Sequence, residues 1–150
     1  MAVDELYKEV ILDHYKSPRN KRGLEHATVS CARNNPLCGD EITIHARLDG
    51  DAVAEVSFEG QGCSISQASA SMLTEAVAGR SLDEAGTLTS DFRSMMEGAA
   101  DPDEDEMGDL IALKGVVKYP VRIKCAVLAW DTFQEALQDA SGKAAGASAH

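Results

Sequence analysis

Four cysteines are spread through the 150 residues, at Cys31, Cys38, Cys63 and Cys125. No two of them form the closely spaced knuckle of a common zinc ribbon or finger. Three still stand where chemistry can be assembled. Cys38 runs directly into Gly39 and Asp40 ahead of a strand pattern, and Cys63 follows Gly60-Gln61-Gly62 ahead of a helical one. Cys125 falls in the opening of the last helical pattern. Element boundaries let a scaffold aim side chains from distant parts of a chain at one point while leaving them accessible. Gly39 permits a tight bend, so Cys38 and Asp40 can face the same ion. Three thiolates and a carboxylate make a tetrahedral donor set suited to Zn²⁺, with sulfur at about 2.3 Å. Thiolates also hold iron–sulfur clusters, and spacing does not choose between these metals. The bland alternative is that each thiol is a small apolar core residue. Cys31, with no glycine or acid beside it, is expected to be a non-ligand. His14, His26, His45 and His150 lie near none of the three cysteines in sequence, which disfavours a Cys–His hydrolase.

These positions need elements to hold them. Leu6, Val10 and His14, flanked by Tyr7 and Ile11, predict an amphipathic helix over residues 3–15. The stretch KSPRNKRG ends it and reads as a solvated basic loop. After Asp40, Ile42, Ile44, Ala46 and Leu48 alternate with polar residues, as in a half-buried strand. Asp49-Gly50-Asp51 signals a hairpin, and a second strand follows with Ala52, Ala54, Val56 and Phe58 on one face. Ser64 or Ser66 is the expected cap of a helix of small residues running to Gly79. Ser81 to Glu84 matches a capping box. The stretch from Asp101 to Asp109 carries six carboxylates and reads as an exposed loop, solvated rather than metal-binding. MGDLIALKGVV reads as helical, and Tyr119-Pro120 opens the last helix, with Cys125, Leu128, Thr132 and Ala136 on one face. The small, polar segment 141–150 reads as a flexible tail after a single domain of residues 1–140. One helix, a hairpin and then further helices make an α+β domain, with helices against one face of a small antiparallel sheet.

Composition narrows the function classes. A length of 150 residues with 44% hydrophobic content suits one packed domain. The net charge of −11 opposes non-specific nucleic-acid binding. No apolar run reaches the roughly 20 residues of a spanning helix, and the N-terminus has no signal-peptide pattern. A cytoplasmic location is therefore expected, where thiols stay reduced and serve as ligands or nucleophiles rather than disulfides.

LYKEVILDHYKSPRN, NPLCGDEITI, FEGQGCSISQASASML and PVRIKCAVLAWDTF together resemble the IscU-like (NifU N-terminal-like) family of iron–sulfur cluster assembly proteins, from about residue 5 to residue 138. Three departures from the scaffold members of that family point to its SufU branch. Lys124 stands where scaffolds carry a histidine before the third cysteine. YPVRIK stands in place of a chaperone-recognition stretch, and the segment between Cys63 and Cys125 is longer. The resemblance implies a three-stranded SufE/IscU-like sheet and zinc held by Cys38, Asp40, Cys63 and Cys125. It also implies that Cys38 accepts persulfide sulfur from a SufS-type cysteine desulfurase, a pyridoxal-phosphate enzyme, and passes it to downstream cluster-assembly proteins. In that scheme a histidine of the desulfurase replaces Cys38 on the zinc. Three thiolates and a carboxylate around Zn²⁺ carry a formal charge of −2. Arg122, one helical turn before Cys125, is the candidate to temper it or to steer the persulfide, with a plain surface arginine as the alternative. The expected function is a zinc-dependent sulfurtransferase. The rival expectations are a scaffold holding a [2Fe–2S] cluster on the same three cysteines, and a purely structural zinc protein.

Overall fold

The structure is a computed structural model. It describes the backbone of residues 2–35, 39–98 and 107–149, and the side chains of residues 8–35, 39–98 and 107–140. Helix α1 (Ala2–Lys16) leads into a meander of three antiparallel strands, β1 (Val29–Asn35), β2 (Asp40–Asp49) and β3 (Ala52–Gln61), in that spatial order. Helices α2 (Ser64–Val77) and α3 (Leu82–Met96), a 3-10 helix (Gly108–Lys118) and helix α4 (Pro120–Ala149) complete the chain. The α+β class, the three strands and the one-sided helical cover are as expected. Among the described residues no helix is long and apolar enough to cross a membrane.

Strand β2 behaves as its alternation dictates, with Ile42, Ile44 and Ala46 buried. Strand β3 departs from the expected pattern. Pairing runs Arg47↔Glu55 and then Leu48↔Val53, so Ala54 is an extra residue in a bulge. An inserted residue inverts the side-chain parity. Val53 joins Val56 and Phe58 in the core, while Ala52 and Ala54 stay half-buried. Strand β1 has only Val29 and Asn35 buried along its seven residues, a pattern too weak for the alternation rule to detect.

Helix α2 is the hub. Ala68, Ser69, Ala70 and Ser71 are all fully buried, and their small side chains let neighbouring elements approach. The hydroxyls are satisfied, as buried polar groups must be. Ser69 donates to the Ala126 carbonyl at 2.6 Å and accepts from Trp130 Nε1 at 3.1 Å. Ser71 Oγ accepts the Arg19 backbone N–H at 2.9 Å and pairs with His14 Nδ1 at 2.8 Å. His14 is thus a core histidine, and its Nε2 reaches Asp109 at 3.1 Å. That contact draws the end of the acidic stretch into the fold. Residues 101–106 of the expected acidic loop lie outside the described residues.

Local detail differs from the expectations at the N-cap of α2 and in the basic loop. The N-cap of α2 is Cys63, with no side-chain cap, rather than Ser64 or Ser66; the Ser66 hydroxyl instead donates to the Cys63 carbonyl at 3.1 Å. The segment after Met107 is helical as expected and takes the 3-10 form, with Leu110, Leu113 and Val116 among its buried residues. Helix α4 runs on to Ala149. The basic loop is fastened rather than merely solvated, since Asn20 accepts the Phe58 backbone N–H at 3.0 Å and its amide reaches Thr74.

Candidate metal centre

Three elements deliver donor atoms to one end of the sheet. Asp40 opens β2 and is fully buried. Cys63 ends the crossing from β3 and caps α2. Cys125 is buried on the inner face of α4. One ligand atom from each lies within 4.8 Å of the others. Asp40 Oδ1 accepts the Cys63 backbone N–H at 2.8 Å, and Cys63 Sγ stands 3.7 Å from Asp40 Oδ2. In a tetrahedral zinc site with Zn–S near 2.3 Å, sulfur–sulfur edges are about 3.8 Å, so this cluster needs only slight contraction around an ion. The donor chemistry fits as well. A buried carboxylate is costly without a cation, and among the described residues no lysine or arginine pairs with Asp40.

The glycines before Cys63 make the approach possible. Gly62 has φ +152°, and a Cβ there would collide with Asp40 Oδ1 and meet Ser66 Oγ at 2.9 Å. Gly60, with φ +142°, lies so close to β2 that a Cβ would strike the Glu41 carbonyl. The two glycines read in the sequence as ending the strand, but Gly60 lies within β3, paired with Ile42, and only Gly62 falls beyond its end. The role of Gly62 in seating the Asp40 carboxylate, and of Gly60 in letting β3 approach β2, needs the strand pairing to become visible.

Arg122 is the charged neighbour of the site. The Cys63 sulfur, followed by that of Cys125, lies beside its guanidinium and pushes its pKa further above the usual arginine value. A cation on the solvent side of two thiols can offset their negative charge when they ionise.

Cys38 lies outside the described residues, so the fourth expected ligand has no described position. The residues flanking that gap are tied together, because the Gly39 N–H donates to the Asn35 carbonyl at 2.9 Å. Cys31 sits on β1, away from the cluster, and donates to Asp139 Oδ2 at 3.1 Å. His45 is likewise elsewhere, held between Ser30 and Glu59 on the outer face of the sheet at 2.7 Å from each.

Known proteins are similar to this chain in sequence and fold. The NifU-like N terminal domain family matches residues 6–126. The chain is 46% identical over 140 residues to the zinc-dependent sulfurtransferase SufU of Bacillus subtilis (strain 168), covering 93% of this chain and 95% of that protein. It is 40% identical over 136 residues to the iron–sulfur cluster assembly scaffold protein IscU of Streptococcus pyogenes serotype M1, covering 91% and 85% of the two chains. The SUF-system protein FiSufU of Fervidobacterium islandicum AW-1, described as a cluster assembly scaffold, superposes with a TM-score of 0.82 at 37% identity, covering 89% and 97%. With the three-stranded sheet, the converging Asp40, Cys63 and Cys125, and matches spanning nearly the whole length, this chain belongs to the IscU-like family defined by the NifU N-terminal domain.

Proposed function

We propose that this protein is a zinc-dependent sulfurtransferase of iron–sulfur cluster biogenesis, with residues 1–140 as its working domain. In this reading it takes persulfide sulfur from a SufS-type cysteine desulfurase in the reducing cytoplasm. The convergence of Asp40, Cys63 and Cys125 beside Arg122 carries the reading. Similarity to a relative named as a zinc-dependent sulfurtransferase supports it.

Asp40, Cys63 and Cys125 would hold the ion, with Cys38, two residues before Asp40, as the fourth and exchangeable donor. Bound zinc would keep the sulfurs as thiolates and add no redox chemistry of its own. Cys38 is the nucleophile. Its thiolate attacks the terminal sulfur of the donor's Cys–S–SH, forming a Cys38 S–S bond as the donor's S–S bond breaks. The electron pair leaves on the donor thiolate, the persulfide proton travels with the transferred sulfur, and no outside oxidant or reductant is consumed. Arg122 faces the incoming negative charge. Lys124, in place of the histidine of scaffold members, weighs against stable cluster ligation.

The test is alanine production by the desulfurase from cysteine, with zinc-loaded or metal-stripped protein. Stimulation by the zinc form alone is expected, and Cys38→Ala should abolish sulfur acceptance. If zinc has no effect while iron and sulfide reconstitute a stable [2Fe–2S] cluster, the scaffold reading wins.

A further inference from the structure

A groove of about 870 Å³ runs from the rim of the metal centre between α1, the start of α2, the 3-10 helix and the start of α4. Its residues Ser64 and Arg122 stand directly beside Cys63, so one end of the groove opens at the thiols. The interior is apolar, with Ile11, Ile65 and Val116 among its lining residues. Tyr119 and Val121 also line it and are 61% and 58% exposed; among the described residues only one other large hydrophobic side chain, Tyr15, is exposed. Large hydrophobic side chains gathered in one exposed groove mark a surface that something covers. The charges are equally selective. Among the described residues the charged ones that line it are Lys8, Lys118 and Arg122, with no carboxylate, in a chain with 25 acidic and 14 basic residues. A surface apolar in the middle and cationic at the edge matches an apolar segment that carries carboxylates.

Sulfur transfer requires the donor's sulfur to come within bonding distance of a thiol here, so the donor must cover the surface flanking the metal centre. The geometry points to this groove as the docking site for an apolar, carboxylate-bearing segment of the sulfur-donating protein, an inference that rests on the sulfurtransferase reading. The apolar wall supplies contact energy, and the lysines steer the encounter and set the orientation of the donor's persulfide towards the thiols.

The test uses the whole zinc-loaded protein and a SufS-type desulfurase. Binding is read by calorimetry, and alanine production and labelled-sulfur transfer are read as functions of protein concentration. Val121→Asp and the pair Lys8→Glu with Lys118→Glu change exposed side chains, so zinc content and melting temperature should match the wild type. Each variant should raise the dissociation constant and the half-stimulating concentration about tenfold, the size of losing one interface anchor. Raising protein concentration should overcome the defect. Added salt should weaken the wild type more than the lysine pair variant. If both variants bind and stimulate like the wild type while sulfur still reaches Cys38, the groove assignment is overturned and the transferase reading stands. If binding depends on the groove but no sulfur is accepted, docking stands and the transferase reading falls. Absence of both binding and transfer in the wild type overturns both. Sedimentation that shows a dimer broken by Val121→Asp would assign the groove to a second copy of this chain instead.

Discussion

At the scale of single residues the centre depends on a fit between one carboxylate and one missing side chain. Asp40 is buried and held by the Cys63 N–H at 2.8 Å, in space left open by Gly62. Asp40→Ala should weaken zinc binding and lower the melting temperature of the zinc form, because metal binding and folding are coupled. Competition with a chromophoric chelator measures the first and thermal scanning the second; no change in either would remove Asp40 from the ligand set. Gly62→Ala should act on the same site through space. Its Cβ would press on the Asp40 carboxylate, and its backbone conformation is one that alanine rarely adopts. A loss of about 1–3 kcal/mol is expected from strain of this kind, read by denaturant unfolding, together with weaker zinc binding. Wild-type stability in Gly62→Ala would mean that the carboxylate has room to move.

At the scale of elements, the helices behind the site are fixed by caps and by small residues. Helix α3 begins with a complete capping box, in which Ser81 Oγ accepts the Glu84 N–H at 3.1 Å and Glu84 Oε1 accepts the Ser81 N–H at 3.0 Å. Its Phe92 stacks on Trp130 of α4 with centroids 4.5 Å apart. Ser81→Ala should therefore cost about 1 kcal/mol of stability, the usual worth of an N-cap. The zinc affinity should be untouched, because the cap lies away from the cysteines. Chelator competition that showed weaker zinc binding in this variant would mean that α3 and the centre are mechanically coupled. Helix α2 is built differently. Its first turn lacks a side-chain cap and is instead joined to the site through the backbone of Cys63.

For the whole molecule, charge sets the response to acid. Asp13, held by the Arg19 guanidinium, titrates below the ordinary aspartate value. Glu55, bonded to Arg22 and then Arg47, and Glu84, bonded to the Ser81 backbone, titrate below the ordinary glutamate value. Their folded pKa values lie under the unfolded ones, so their stabilisation is complete above the unfolded values and is lost as pH falls through the folded values. All three are solvent-exposed and each effect is small. Metal-stripped protein should therefore keep its stability to about pH 4 and lose it below, where carboxylates protonate. The zinc-loaded form should begin to lose stability at a higher pH than that, because its ligands bind the ion only when deprotonated. Melting curves across pH with and without zinc measure both. Identical profiles would mean that the ion contributes nothing to folding.

How far the sequence could be read follows from how local each signal is. The Ser81–Glu84 box, the alternation of β2, the Tyr119-Pro120 helix start and the Cys125–Ala136 face are set by residues near one another in the chain, and all appear as expected. The cysteine contexts, with the resemblance they carry, identified the family and the metal-centre candidates before any coordinates. The bulge at Ala54, the bounds of β1, the 3-10 form of the helix at residues 108–118 and the seat for Asp40 at Gly62 were not legible. Each depends on which residues of a second strand or helix face the first, and no local pattern encodes that pairing. By itself the sequence determined which thiols and which carboxylate are offered, because residue type and local backbone preference are properties of a few adjacent positions. Only the tertiary structure brought Asp40, Cys63 and Cys125 to within 4.8 Å and opened an apolar, cationic groove beside them. Distances between residues up to 85 positions apart in the chain are decided by how β2, α2 and α4 pack on one core.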